Sequence, residues 1–394
     1  MKYFLITLLL LGKAPTVCSA QNTDNQRIIV GAEQIPALKE LLRNKQVALV
    51  VNPSSMVGKT HLVDTLYRSG VCVVRIMAPE HGFRGAEDAG ETVADGQDVR
   101  TGIPILSLYG RKKKPAPEDL EGIEVVVFDI QDVGARFYTY ISTLFYMMEA
   151  CAQEGKKLVV LDRPNPNGHY VDGPVLDMRY ASFVGIAPLP VVHGCTIGEL
   201  AKLLKGEYWV ENADKLDLEV VPCLHYTHQT PYDLPVRPSP NLPDMRSVLL
   251  YPSLCFFEGT IVSLGRGTPA PFQILGHPDY PECSFSFTPQ QGFAARNPPL
   301  EGKICWGVDL RNKNLDSLRR RNSLDMSYLL NFYHCLPQTK DFFLANRFFD
   351  LLAGNKTLRE QILAGYSEAD IRASWTYDLD IYKEIRKKYL LYPE

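Results

Sequence analysis

Four stretches of the chain gather side chains able to move protons and bind polar ligands. They are Pro79-Glu80-His81-Gly82-Phe83-Arg84-Gly85, then Asp129 through Gln131-Asp132-Val133-Gly134-Ala135-Arg136-Phe137-Tyr138, then Asp162-Arg163-Pro164-Asn165-Pro166-Asn167-Gly168, and finally Val192-His193-Gly194. The first three each end an apolar, β-branched run. Glu80 is the leading proton donor, because removing water from a carboxyl favours its protonated form, the form a general acid needs. Asp129, Asp132 and Asp162 are the candidates for a second carboxylate. With His81, Arg84, Arg136, Tyr138, Asn165 and His193 they describe a polar, carbohydrate-like site rather than an apolar pocket.

Each of these residues has a structural alternative. Glu80 would pair with Arg84 or Arg136 and only fix its loop. Asp129 lies inside a strand pattern, so it must be hydrogen-bonded and would hold neighbouring backbone N–H groups. Asp162-Arg163 would form a self-paired turn, and His193 would be a capped core histidine. Tyr138 and Tyr140 open a helix, where aromatic residues serve the core as readily as a sugar ring.

Other patterns fail on chemical grounds. The segment VNPSSMVGKT over residues 51–60 imitates a phosphate-binding loop, but Pro53 stands where the first glycine belongs. Proline has no N–H and a fixed φ, so it cannot cradle phosphate; no nucleotide is expected. Gly265-Arg266-Gly267 lacks the third glycine of a dinucleotide fingerprint, and no GxSxG or HExxH pattern occurs. No metal or cofactor is expected.

The elements that must position the polar clusters follow from periodicity. Strands are expected over residues 46–52, 71–77, 103–108, 123–130 and 158–161, with helices over 61–69 and 139–153. Alternating apolar strands and amphipathic helices give a parallel sheet covered on both faces, whose ligands bind beyond the carboxyl ends of the strands. Thr196 with Glu199 reads as a capping box opening a helix to about residue 205. Residues 217–221 read as a further strand, and 222–243 as an ordered loop. Beyond it come short strands, turns, and helical segments near 323–335 and 355–363. The expected fold class is α/β, a Rossmann-like parallel-sheet domain over 21–225 with a second, smaller mixed α/β domain over 226–394.

Composition supports a folded chain. Its 394 residues are 45% hydrophobic and 22% charged, with a formal net charge of −3. That mild acidity argues against nucleic acid as a partner. The run Arg111-Lys112-Lys113-Lys114 reads as a solvated loop. Residues 1–20 combine Lys2, a short apolar stretch and small residues before Gln21, as in a signal peptide cleaved after Ala20. Export to the periplasm or beyond is therefore expected, with no stable membrane insertion afterwards. Cys72, in an apolar run, reads as a buried thiol; one or two disulfides are open among the other cysteines.

Several motifs, in order, resemble the exo-β-N-acetylmuramidase family of NamZ type. They are Glu80–Gly85 (EHGFRG), Phe128–Tyr140 (FDIQDVGARFYTY), Asp162–Pro166 (DRPNP), Phe257–Thr260 (FEGT), Ser263–Thr268 (SLGRGT) and Arg386–Tyr392 (RKKYLLY). The resemblance implies a Rossmann-like domain joined to an auxiliary domain, with the site between them. It also implies release of N-acetylmuramic acid from the non-reducing end of peptidoglycan fragments, and it places the catalytic glutamate on Glu80. A glycosidic bond needs a proton on its leaving oxygen and support for an oxocarbenium-like centre. Asp129 or Asp162 would activate water, act as nucleophile or orient the acetamido group. Arg84, Arg136 and Arg266 are candidates to bind the lactyl carboxylate, and Glu258 would line the cleft from the second domain. A non-catalytic carbohydrate-binding protein, and an enzyme cleaving the lactyl ether, are the alternatives.

Overall fold

The computed structural model describes residues 27–80, 82–84, 95–292, 294–337 and 341–394. The expected signal peptide and His81 lie outside the described residues. In chain order the first half forms α1 (Ile35–Leu41), β1 (Val47–Val51), β2 (Met56–Val57), β3 (Thr60–His61), α2 (Leu62–Arg68), β4 (Val73–Ala78), β5 (Gly96–Gln97), β6 (Pro104–Ser107), β7 (Val125–Asp129), α3 (Tyr140–Gln153), β8 (Lys157–Leu161), α4 (Ile197–Gly206) and β9 (Asp217–Val221). Seven of these strands form one sheet in the order β5-β6-β4-β1-β7-β8-β9. All its pairings are parallel except β5 with β6.

The apolar runs explain this sheet. Successive side chains on a strand point to opposite faces. Val47, Leu49 and Val51 of β1 join the cluster that includes Leu38 of α1 and Leu62 and Leu66 of α2. Ala48 and Val50 join the opposite cluster, with Leu144 and Met148 of α3 and Leu200 and Leu203 of α4. A strand buried on both faces must be apolar at every position, and all five residues of β1 are buried. Thr196 and Glu199 form the expected capping box at the start of α4.

The second half contains α5 (Met245–Leu254), β10 (Ile274–His277), β11 (Ser286–Phe287), β12 (Cys305–Asp309), α6 (Leu315–Arg319), α7 (Ser327–Cys335), α8 (Phe348–Ala353), α9 (Thr357–Leu363) and α10 (Glu368–Lys387). Its three strands form a small antiparallel sheet, β10-β12-β11. Phe256, Phe257, Phe332 and Trp375 join the same apolar cluster as α3 and α4, so one core runs through both halves. The last segment also returns to the first sheet. Tyr382 donates to the His193 carbonyl (2.8 Å), Arg386 to the Gly194 carbonyl, and Tyr392 to Asp162 (2.5 Å).

Two features depart from expectation. Helices α1, α5 and α10 arise where none was expected. Cys72 is exposed: it precedes β4 rather than lying in it, and its thiol meets the Gln46 side chain. The eight cysteines of the described residues are all free.

Candidate active site

A cavity of about 500 Å³ is open to solvent at the carboxyl edge of the sheet, a size typical of small-ligand sites. The segment after β4 contributes Glu80, the segment after β6 contributes Tyr109, Gly110 and Lys113, and the segment after β7 contributes Phe137 to Tyr140. The second half closes the far side with Asn241, Tyr251, Glu258, Arg266, Phe272 and Phe348. The cavity thus lies at the edge where open α/β sheets bind their ligands.

Glu80 is half-buried and borders this space. Tyr109 donates its hydroxyl to Glu80 Oε1 (3.0 Å), and Tyr140 donates to the Glu80 carbonyl (3.3 Å). Burial, reinforced by the Glu80 charge, raises the pKa of both phenols, so they stay neutral donors. Neither arginine considered as a partner of Glu80 reaches it. Arg84 is held by Asp64 and Asp98, and Arg136 by backbone carbonyls.

Aromatic rings shape the floor. Tyr138 donates to the Pro238 carbonyl (2.7 Å) and packs edge-on against Tyr140, with centroids 5.0 Å apart. Arg266 donates through Nε to Glu258 Oε1 (2.9 Å), and its guanidinium lies 5.4 Å from the Phe272 ring centre. Phe272 holds a left-handed φ of +57°, a costly conformation for a bulky residue and one that concentrates at functional sites. Asn241 is buried; its Nδ2 donates to the Ala294 carbonyl (3.0 Å), while Oδ1 has no partner among the described residues.

Of the described residues expected at the site, Glu80, Tyr138, Tyr140, Glu258 and Arg266 line the cavity. The others do not, and each has a physical reason. Asp129 is fully buried and bound bidentately by Arg163 (2.6 and 2.9 Å). Arg163 therefore pairs across strands rather than with its neighbour. Asp162 is also sealed, accepting from Thr196, Gly198, Tyr392 and the Arg163 N–H. Burial pushes its carboxyl up to about 6 despite those donors. Neither aspartate can touch a ligand in the cavity.

The substrate-binding expectations need similar correction. Arg84 faces a separate cleft beside Asp64 and Arg100. Arg136 is buried; desolvation lowers its pKa to about 9, and it ties together the carbonyls of Pro174, Leu189 and Leu352. Asp132 accepts from the Gly134 N–H (2.7 Å) and lies 3.3 Å from His193 Nε2, both side chains being buried. Asn165 donates to the Cys195 carbonyl (2.8 Å). It packs so closely that a Cβ on Gly134, at φ +80°, would lie 2.3 Å from its Oδ1. These groups fix loops below the cavity.

Tyr109, Lys113, Asn241 and Phe272 were not singled out by sequence. Tyr109 directly follows the apolar run at 103–108, so the strand-edge rule could have found it. Lys113 corrects the reading of residues 111–114 as a solvated loop, because it lines the cavity.

The fold and the cavity define a doubly wound α/β protein with a solvent-open cavity at the carboxyl edge of the sheet, roofed by the second half of the chain. The chain belongs to the NamZ family: the model for "Exo-beta-N-acetylmuramidase NamZ, N-terminal" matches residues 47–246, and its C-terminal counterpart matches 249–392. It is 37% identical over 419 residues to the peptidoglycan beta-N-acetylmuramidase NamZ of Bacillus subtilis (strain 168), covering 99% of this chain and 98% of that protein. A crystal structure of a DUF1343 family protein from Bacteroides fragilis NCTC 9343 superposes with a TM-score of 0.87 at 46% identity, covering 94% of this chain and 100% of that one. A second from the same organism gives 0.80 at 29% identity, covering 93% and 99%.

Proposed function

We propose that the protein is an exo-acting glycoside hydrolase that releases N-acetylmuramic acid from the non-reducing end of peptidoglycan fragments, with Glu80 as general acid. The observation that carries this reading is the Glu80 carboxyl at the rim of a solvent-open cavity, oriented by Tyr109 and free of any cation among the described residues. A protonated Glu80 would give its hydrogen to the glycosidic oxygen as the bond to the sugar breaks.

Glu258 is the other carboxylate that lines the cavity among the described residues, and Arg266 fixes its direction. We assign it the role of second carboxylate in place of Asp129 and Asp162. An exported protein, with residues 1–20 as its leader, suits a cell-wall substrate and a part in wall recycling.

The test combines product mass and a variant. Incubation with a defined muramyl disaccharide should yield free N-acetylmuramic acid with its lactyl group intact. Glu80→Gln, folded as the wild type, should lose at least about a hundredfold in rate, the low end for general acid catalysis. Loss of the lactyl group instead, or wild-type turnover by the variant, overturns the reading.

A further inference from the structure

We propose that Lys113 is the cation that recognises the carboxylate by which N-acetylmuramic acid differs from N-acetylglucosamine. The inference rests on the substrate class assigned above but concerns a different residue and a different measurement. The two sugars differ by one lactyl ether, whose carboxylate is ionised near neutral pH. A protein that tells them apart needs a cation in the sugar cavity that no protein carboxylate has already claimed.

The arginines do not meet that condition. Arg84 is bound by Asp64 and Asp98, Arg136 is buried away from the cavity, and Arg266 is bound by Glu258. Lys113 does meet it. It lines the same cavity as Glu80, and no carboxylate pairs with it among the described residues. The lysines on either side are committed: Lys112 to Asp119 (2.8 Å) and Lys114 to Glu149 (2.9 Å). Those two pairs pin the loop at both shoulders and leave the middle ammonium turned to the cavity.

An aromatic ring holds that ammonium in place. Lys113 Nζ sits 4.2 Å from the centre of the Phe183 ring, which also borders the cavity and stacks on Tyr146 at 12°. A ring face attracts a cation without neutralising it, so the charge stays available to an anion. The charge balance of the cavity agrees. Glu258 and Arg266 pair with each other, and Glu80 accepts from the Tyr109 hydroxyl rather than from Lys113. Lys113 is then the lining cation without a carboxylate partner among the described residues, and a lactyl carboxylate would supply one.

The test measures binding by ligand-observed NMR or calorimetry, using N-acetylmuramic acid and N-acetylglucosamine with the full chain. Wild type should prefer the muramic acid, and Lys113→Gln and Lys113→Ala should each cut that preference about tenfold or more, the scale of one charge-assisted hydrogen bond. Lys113→Arg should keep most of it, and added salt should erode the preference of the wild type but not of Lys113→Gln. The inference is overturned if wild type shows no preference, or if both neutral variants keep it. Hydrolysis of the muramyl disaccharide is read separately. Binding that depends on Lys113 with no sugar released would keep this inference and overturn the activity, whereas hydrolysis with the preference unchanged in both neutral variants would do the opposite.

Discussion

Tyr109 Oη lies 3.0 Å from Glu80 Oε1, and the two residues leave the sheet side by side. Ala78 of β4 is in register with Ser107 of β6, so acid and phenol each stand two residues beyond one register pair. The parallel pairing itself sets their meeting. Removing the phenol should let the carboxyl swing without disturbing the core. Tyr109→Phe is expected to lower kcat about tenfold, the scale of one hydrogen bond to a charged group, with KM changing much less and thermal unfolding nearly unchanged. A kcat equal to that of wild type would show that the brace is dispensable.

Asp129 and Arg163 make a different prediction because they are sealed from the cavity. Breaking a buried ion pair at one end leaves an uncompensated charge and typically costs about 3–5 kcal/mol. Arg163→Met should therefore destabilise the protein by that order in urea unfolding. The double variant Asp129→Asn/Arg163→Met should recover part of the loss. Kinetics on the folded fraction of Asp129→Asn should stay within a few-fold of wild type. A hundredfold drop with normal folding would return Asp129 to the chemistry.

Acid stability should report the Arg84 cluster. Burial opposes the charge on Asp98, but Arg84 and Thr101 outweigh it and hold the carboxyl down to about 2, against 3.8 normally. A carboxyl with a depressed folded-state pKa stabilises the fold above its unfolded value, and that contribution disappears as pH falls through the folded value. Wild type should lose this share between about pH 4 and pH 2. Asp98→Asn should start less stable at pH 7 and show a shallower decline over that window. Parallel acid arms in the two proteins would refute the assignment.

Tyr392 joins the end of the chain to the first sheet. Its hydroxyl donates to Asp162 Oδ2 (2.5 Å) and accepts from the Cys223 N–H (2.8 Å). Tyr392→Phe leaves both buried groups short of a partner, at a cost of about 1–3 kcal/mol for each group left unsatisfied. Unfolding followed by tryptophan fluorescence and by far-UV circular dichroism should shift together, because one core spans both halves. Separate transitions would show that the halves unfold independently.

The central sheet was legible because β1, β7 and β8 are apolar over consecutive residues, and the cap on α4 was legible because Thr196 and Glu199 carry a local signature. Helix α10 was missed although Ile371, Trp375, Leu379 and Tyr382 mark one buried stripe. Its mean polarity is high, and only the core it packs on explains the stripe. Helix α5 was hidden by Pro252 within it. The place of Glu80 at the cavity was legible from its position at a strand end. The aspartates misled because a buried carboxylate that fixes a loop and one that meets a ligand look alike until their donors are known. Lys113 was hidden for the opposite reason: a run of basic residues reads as a solvated surface, and only Asp119, Glu149 and Phe183 separate its members.

One turn of chain beyond β6, five residues from Tyr109 to Lys113, steadies the acid at one end and presents the cation at the other. An insertion or deletion there would shift both at once. Catalytic power and choice of sugar would then be inherited as a single trait.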